Sequence, residues 1–148
     1  AVTKNGTVYA SNTRSPEVVF KISPDGSSSV FSKHESLSLP NGVAIDNDEN
    51  IVVVNMGDNK VITFNRDGDV VKTDYADESG GDGIVIMKDG TKYVTSVRHG
   101  SVSKIDENGN VSVIARGIPN AASMCYDSIQ NQLVIPMNSN YALGFIQL

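Results

Sequence analysis

Residues 42–70, GVAIDNDENIVVVNMGDNKVITFNRDGDV, lie over residues 83–111, GIVIMKDGTKYVTSVRHGSVSKIDENGNV, without a gap. The offset between the two copies is 41 residues. Self-similarity at a fixed period of this length is the signature of a repeat architecture, in which each copy folds as one supersecondary unit. The rest of the sequence is therefore best interpreted unit by unit.

The same pattern continues to both ends of the chain. A third copy, SMCYDSIQNQLVIPMNSNYALGFIQL, places Asp127 on Asp46, and a fourth opens the chain as AVTKNGTVYASNTRSPEVVFKISPDGSSSV. We therefore predict one domain over residues 1–148, made of four units. The predicted unit boundaries are about 1–41, 42–82, 83–122 and 123–148.

Each unit has the pattern of a four-stranded antiparallel meander. Apolar β-branched runs alternate with turn sequences such as Asn-Gly and Asp-Gly, which favour hairpins. No helical i, i+3, i+4, i+7 stripe persists in the chain. Units of this kind bury their two apolar faces by stacking around an axis, so the predicted fold is all-β, a propeller with about four blades in this chain. The strands predicted for the second unit are about 42–46, 50–56, 60–65 and 69–75.

Composition excludes several classes of partner. The net charge is −5 and there is no run of Lys or Arg, so we expect no nucleic-acid partner, because phosphate backbones require a cationic surface. No stretch approaches 18 apolar residues, so no association with a membrane is predicted. The single cysteine, Cys125, lies in the apolar stretch ASMCYD and is interpreted as a buried small hydrophobe.

Polar residues precede two of the innermost strands. In a radial blade that strand runs along the axis, so the residue before it lies at one mouth of the central channel. The residue at this position is Asn41 in the second unit, Asp82 in the third and Ala122 in the fourth, so two of the three are polar. A carboxylate and a carboxamide at equivalent positions form a partial ligand set for a hard divalent cation. Asn and Asp before Gly are also favoured in turns, and that structural interpretation stays open.

The loops between the second and third strands of each unit open on the same face. We predict that these loops rim a substrate pocket, and that its contacts are Arg14, Met56, Arg98, His99 and Asn138. His99 could act as a general base or contact a substrate, because histidine titrates near neutral pH. The alternative is that His99 is a solvated loop residue.

Two stretches point to a known family. LPNGVAIDNDENIVVVNMGDNKVITFNRDG (residues 39–68) and GGDGIVIMKDGTKYVTSVRHGSVSKIDENG (residues 80–109) resemble consecutive C-terminal blades of the gluconolactonase, regucalcin and senescence-marker family, and they also look like NHL repeats. The resemblance implies a six-bladed ring that holds a divalent cation, calcium or zinc, and hydrolyses lactones or related esters. It implies that Asn41 and Asp82 bind the cation and that Asp82 is also the catalytic acid/base.

Two functions follow as expectations. The first is a metal-dependent lactonase or esterase-type hydrolase, and the alternative is a non-catalytic NHL-type propeller that binds a protein, peptide or glycan through its loop face. The first unit opens within its innermost strand and the last has three strands, so we also expect exposed apolar blade faces and a homo-oligomer that completes the ring.

Overall fold

A computed structural model describes all 148 residues and consists of β-strands joined by short loops. The only helical element is a single 3₁₀ turn at Asn138–Asn140. The all-β prediction is therefore confirmed. No helix in the structure has the length and apolar character needed to cross a lipid bilayer.

The strands form four antiparallel sheets, each built from strands that are consecutive in the chain. We call these sheets blades 1 to 4. Blade 1 contains β1 (Val8–Asn12), β2 (Val18–Ile22) and β3 (Ser28–Ser32). Blade 2 contains β4 (Pro40–Ile45), β5 (Ile51–Asn55), β6 (Lys60–Phe64) and β7 (Val70–Tyr75). Blade 3 contains β8 (Gly81–Ile86), β9 (Lys92–Ser96), β10 (Ser101–Ile105) and β11 (Val111–Ala115), and blade 4 contains β12 (Cys125–Asp127), β13 (Gln132–Met137) and β14 (Ala142–Gln147).

Blade 1 also has a short innermost segment. Val2 forms an isolated bridge with Val8, and the backbone N–H of Tyr9 donates to the carbonyl of Ala1 at 2.8 Å. The segment lies where the innermost strand of the first unit is predicted, but it is too short to form a continuous ladder. In blade 2 the observed strands match the predicted ones to within two residues at each end.

The hydrophobic core lies between successive blades. Every residue of β5 is buried, because one face of this strand packs on blade 1 and the other on blade 3. The cluster between blades 1 and 2 is built around Tyr9 and Phe64, and that between blades 3 and 4 around Tyr93 and Leu133. Stacking therefore covers both faces of the two middle blades.

Glycines allow the innermost strands of neighbouring blades to approach each other. A Cβ on Gly42 would lie 2.3 Å from the backbone oxygen of Asp82, and a Cβ on Gly83 would lie 2.7 Å from the backbone nitrogen of Met124. Both glycines sit inside strands, in segments where the pairing register shifts as in a β-bulge. Asn41 and Asp82 therefore lie in bulged strands rather than in turns.

The predicted burial of Cys125 is wrong. Cys125 is exposed and pairs with Val134 across β12 and β13. Directly opposite residues of an antiparallel pair point to the same side of the sheet, and on this side of blade 4 no further blade packs. The apolar neighbours of Cys125 in the sequence did not predict its exposure, because only one face of this end blade is covered.

Candidate channel-mouth site

The innermost segments of all four blades surround a cavity of about 430 Å³. Its lining combines aliphatic side chains, among them Val43 and Ile84, with oxygen-bearing ones. The lining residues with polar side chains are Ser11, Asn41, Asp82 and Ser123, and also Tyr9, whose ring packs against Phe31 in the core between blades 1 and 2. A cavity of this composition can accept a ligand that has both an apolar part and a polar group.

Asp82 is at the centre of the polar group. Its Oδ2 accepts a hydrogen bond from Asn41 Nδ2 at 3.3 Å, and its Oδ1 accepts one from Ser123 Oγ at 3.4 Å. The structure therefore brings Asn41 and Asp82 together, one from blade 2 and one from blade 3. Ser123, at the start of blade 4, adds a hydroxyl on the other side of the carboxylate.

The electrostatic environment of Asp82 is uncompensated. Burial raises the pKa of this carboxyl above its usual value, although the hydrogen bonds from Ser123 and Asn41 oppose the shift. No Lys, Arg or His forms an ion pair with Asp82. A partly desolvated carboxylate without a basic partner is an environment that a bound cation would stabilise.

Hydroxyl groups on the neighbouring strands hold the bulged backbone in place. The buried Thr95 Oγ1 accepts from the backbone N–H of Gly83 at 2.7 Å and donates to the carbonyl of Ala122 at 2.7 Å. At the register-equivalent position of blade 1, Ser11 Oγ donates to the carbonyl of Asn41. Each hydroxyl thus fixes the innermost strand of the next blade, and with it the direction of the polar side chains.

The residues predicted as substrate contacts lie at the same end of the sheets. β4 and β5 pair Pro40 with Asn55, and β8 and β9 pair Gly81 with Ser96, so the loops that follow β5 and β9 lie beside Asn41 and Asp82. None of these residues lines the cavity, however. Met56 is half-buried, and the exposed ones are Arg14, Arg98, His99 and Asn138.

Local contacts fix the Arg98–His99 loop. A Cβ on Gly80 would lie 2.8 Å from Cβ of Arg98, so this glycine leaves room for the arginine stem. The backbone N–H of His99 donates to Ser96 Oγ at 3.1 Å. The imidazole of His99 is exposed and outside the cavity lining, so the structure does not bring it together with Asp82.

Sequence reasoning missed Ser123. The position equivalent to Asp82 in blade 4 is Ala122, because Ala121 bridges Met137 as Gly81 pairs with Ser96. Ala122 is buried and contributes only its carbonyl. The next residue, Ser123, supplies the side chain at the mouth. The constant offset of 41 residues from Asn41 to Asp82 and on to Ser123 could have identified it from the sequence.

The donor set of the site is oxygen only. It consists of one carboxylate, one carboxamide and one hydroxyl, and nowhere in the chain do three or more His, Cys, Asp or Glu side chains come together as a metal-binding group. Such oxygens are ligands for a hard cation such as calcium, whereas zinc sites are built mainly from nitrogen and sulfur. The residues therefore fit part of the coordination shell of calcium better than that of zinc.

Four stacked antiparallel sheets around a channel define the chain as a β-propeller. It is similar to virginiamycin B lyase from Staphylococcus aureus, with a TM-score of 0.73 and 14% identity over 100% of this chain and 54% of that chain. It is also similar to a gluconolactonase from Xanthomonas campestris, with a TM-score of 0.66 and 21% identity over 91% of this chain and 52% of that one.

A chain of the nidogen/laminin complex gives a TM-score of 0.74 and 18% identity over 89% of this chain and 52% of that chain. The chain thus spans about half the length of each of these three solved structures. At these identities the likeness establishes the fold. No protein-family profile matches the sequence, and no curated protein matches it.

Proposed function

We propose that this chain forms part of the active centre of a lactonase or esterase-type hydrolase. Asn41 and Asp82 are ligands of a divalent cation, calcium rather than zinc, and Asp82 is the acid/base. The observation that carries the proposal is the convergence of Asn41, Asp82 and Ser123 at the channel cavity, around a carboxylate that has no basic partner. The similarity to a gluconolactonase and to a lyase supports the proposal.

The chain's own residues would move the proton. When bound, the cation would polarise the ester carbonyl and lower the pKa of a water molecule. Asp82 would accept a proton from the attacking water as the oxygen of the water bonds to the carbonyl carbon. The ring C–O bond then breaks, and Asp82 returns the proton to the leaving alkoxide, which gives a hydroxy acid. Ser123, which bonds Oδ1, keeps the carboxylate oriented during both transfers.

The aliphatic part of the lining suggests the kind of lactone. Val8, Val43 and Ile84 face the same cavity as Asp82 and can pack against the apolar side of a ring. The side-chain hydrogen-bond donors of Ser11, Asn41 and Ser123 each already donate to a group of the chain, so the cavity suits a lactone with few hydroxyl groups. The substrate class in the proposal is therefore an aliphatic lactone or a related ester.

Calcium-induced thermal shifts test the proposal directly. Calcium should raise the Tm of the parent and leave that of Asp82→Ala unchanged, because the variant loses the only charged ligand. Asp67→Ala is the matched control, since Asp67 is exposed in the turn between β6 and β7, at the other end of the sheets. The parent and Asp67→Ala should also hydrolyse members of a panel of aliphatic lactones, and Asp82→Ala should not. Equal calcium shifts in the parent and Asp82→Ala would contradict the cation site.

The alternative is a non-catalytic propeller of NHL type that binds a protein, peptide or glycan through its loop face. It is favoured by the exposure of Arg14, Arg98 and His99 outside the cavity and by the similarity to a chain of the nidogen/laminin complex. Binding to glycan and peptide arrays distinguishes the two. The alternative predicts that the parent binds an array ligand, that Arg98→Ala loses this binding and that Asp82→Ala retains it. The hydrolase proposal predicts no such pattern of binding.

A further inference from the structure

A second cavity, of about 220 Å³, lies between blades 1 and 2 at the end of the sheets away from the channel mouth. We call it the inter-blade cavity. It is built by the turn before β1, by β1 and β2 themselves, and by the turns that follow β4 and β6. The residues that line it are Thr3, Lys4, Asn5, Thr7, Tyr9, Lys21, Glu49 and Arg66.

The strand register directs Lys21 towards blade 2. Tyr9 pairs with Lys21 across β1 and β2, so the two side chains project to the same side of blade 1. The ring of Tyr9 belongs to the core between blades 1 and 2, so Lys21 faces blade 2 as well. Val8 and Ala10 project to the opposite side of blade 1. The inter-blade cavity therefore does not depend on what packs against that opposite side.

The lining carries a surplus of positive charge, although the net charge of the chain is −5. Three cationic side chains, Lys4, Lys21 and Arg66, line the cavity together with one carboxylate, that of Glu49. Neither lysine forms an ion pair within the chain. Arg66 pairs with Glu49 through Nη2, which leaves its other N–H groups free to donate. The lining thus has two positive charges in excess and several donors without an acceptor.

Blade 3 contains a close copy of the turn that forms one wall of the cavity. Residues 4–9 are KNGTVY and residues 88–93 are KDGTKY. The same two backbone hydrogen bonds close both turns. In each blade the tyrosine that ends this sequence pairs with a lysine of a neighbouring strand, Lys21 in blade 1 and Lys104 in blade 3. The two blades can therefore be compared position by position.

The turn of blade 3 supplies a carboxylate, and the turn of blade 1 does not. The backbone N–H of Thr91, and to a smaller extent the charge of Lys104, lower the pKa of Asp89. Asn5 stands at the equivalent position in blade 1 and accepts from the N–H of Thr7 at 3.2 Å, as Asp89 accepts from Thr91 at 3.0 Å. An amide thus replaces a carboxylate without changing the turn, which leaves the cations of blade 1 available to an external anion.

A residue in an unfavourable conformation holds Arg66 beside the cavity. Glu49 has a φ of +63°, at the turn position that Gly6 and Gly90 occupy in blades 1 and 3. Glycine adopts this conformation readily, whereas a residue with a Cβ does not. The carboxylate of Glu49 pairs with Arg66 and fixes the guanidinium at the cavity wall. Backbone strain that is retained for one side-chain contact is typical of functional positions.

We propose that the inter-blade cavity binds the phosphate group of a small molecule through Lys4, Lys21 and Arg66. A phosphate group carries close to two negative charges at neutral pH and has several strong acceptor oxygens, so it complements the surplus charge and the free donors of the lining. The three cations come from a turn, a strand and a second turn, and they therefore surround the group from different sides. The site lies at the opposite end of the sheets from Asp82 and is separate from the proposed hydrolase centre.

Titration of the ¹⁵N-labelled chain with inorganic phosphate and with glycerol 3-phosphate tests the proposal, with chloride at matched ionic strength as the reference. The amide resonances of residues 3–7 and of Lys21 should shift saturably, and those of residues 97–100 should not. Tighter binding of the ester would identify a phosphomonoester as the ligand, and equal binding would identify the phosphate group alone. Shifts no larger than those in chloride, or shifts confined to the loop around Arg98, would overturn the proposal.

Asn5→Asp tests the comparison with blade 3. The variant gives blade 1 the turn that blade 3 already has, so it should fold as the parent does, and its new carboxylate should weaken phosphate binding about tenfold. Asn108→Asp is the matched control, because it adds the same charge in an exposed turn of blade 3 and should leave the affinity unchanged. Equal affinities of Asn5→Asp and Asn108→Asp for phosphate would contradict a site at the inter-blade cavity.

Two lysine variants separate a specific site from general attraction to positive charge. Lys21→Gln should also lose about tenfold in phosphate affinity, because it removes one charge-assisted hydrogen bond. Lys104→Gln removes the equivalent lysine of blade 3 and should bind phosphate as the parent does. The same loss in both variants would show that phosphate responds only to the net charge of the chain, and the proposal would be wrong.

Discussion

The dipeptide Asp-Gly occurs at the channel mouth and in the hairpin turns, and its chemistry differs between the two regions. In the turn after β2, the carboxylate of Asp25 accepts bonds from the backbone N–H and hydroxyl of Ser27, which lower its pKa. At the mouth, burial raises the pKa of Asp82. The neighbouring blade, rather than the local sequence, therefore determines the environment of an Asp-Gly pair.

The glycines differ for the same reason. Gly26 has a φ of +85°, and no atom lies within 4 Å of the place that a Cβ would take, so this glycine is needed for backbone conformation. Gly42 in β4 is needed for space, because the backbone oxygen of Asp82 occupies the place of a Cβ. The turn glycine is therefore required by the conformation of its own hairpin, and the mouth glycine by the close contact between two blades.

The largest effect is expected for Gly42→Ala. The new Cβ would meet the backbone of blade 3 at 2.3 Å, and overpacking against backbone should cost about 3 kcal/mol of unfolding free energy. Gly26→Ala, the matched turn variant, should cost only about 1 kcal/mol, from its positive φ. Urea unfolding of both variants measures the difference. Equal losses would show that the blades are less tightly packed at the mouth than the structure has them.

A smaller effect is expected for Thr95→Val. The substitution keeps the shape of the side chain but leaves the N–H of Gly83 and the carbonyl of Ala122 unpaired in a buried site. Leaving buried polar groups unsatisfied should cost about 2 kcal/mol. Ser27→Ala in the exposed turn is the control and should change the unfolding free energy little. A neutral Thr95→Val would mean that water replaces the hydroxyl at this bulge.

The fold could be predicted from the sequence because its determinants are local and repeated. The period of 41 residues, the apolar β-branched run in β5 and the turn dipeptides all indicate the same meander. The positions of Asn41 and Asp82 on one face also followed, because equivalent strands end at the same mouth. What these residues bind stays a prediction.

Other features depend on contacts between blades, which the sequence pattern does not encode. The offset of 41 residues leads from Asp82 to Ser123, but the alignment of the last unit pointed to Ala122, and which of the two side chains meets Asp82 depends on how β8 and blade 4 meet. The exposure of Cys125 depends on which face of blade 4 is covered. Arg98 and His99 lie at the predicted end of the sheets but do not line the cavity. Their position depends on the path of a loop, which the sequence repeat does not determine.

The smallest effect is expected for Asp82→Asn in the absence of divalent cations. The folded state raises the pKa of Asp82, so it binds the proton at a higher pH than the unfolded chain does. Above the folded pKa the carboxylate is ionised and partly desolvated, so its replacement by a neutral amide should raise Tm by about 1–2 °C there. As the pH falls through the folded pKa, the parent becomes protonated and gains stability relative to the variant, so the difference should shrink.

Asp25→Asn should show the opposite sign. The pKa of Asp25 is lowered in the folded state, so its carboxylate stabilises the fold above the unfolded pKa and loses that effect as the pH falls through the folded pKa. The variant should therefore be slightly less stable than the parent at pH 7 and equal to it in acid. Thermal melts of both variants between pH 3 and pH 7, with a chelator present, measure the two trends. Parallel trends would mean that the two Asp-Gly pairs share one environment, because only burial at the mouth distinguishes Asp82 from a turn aspartate.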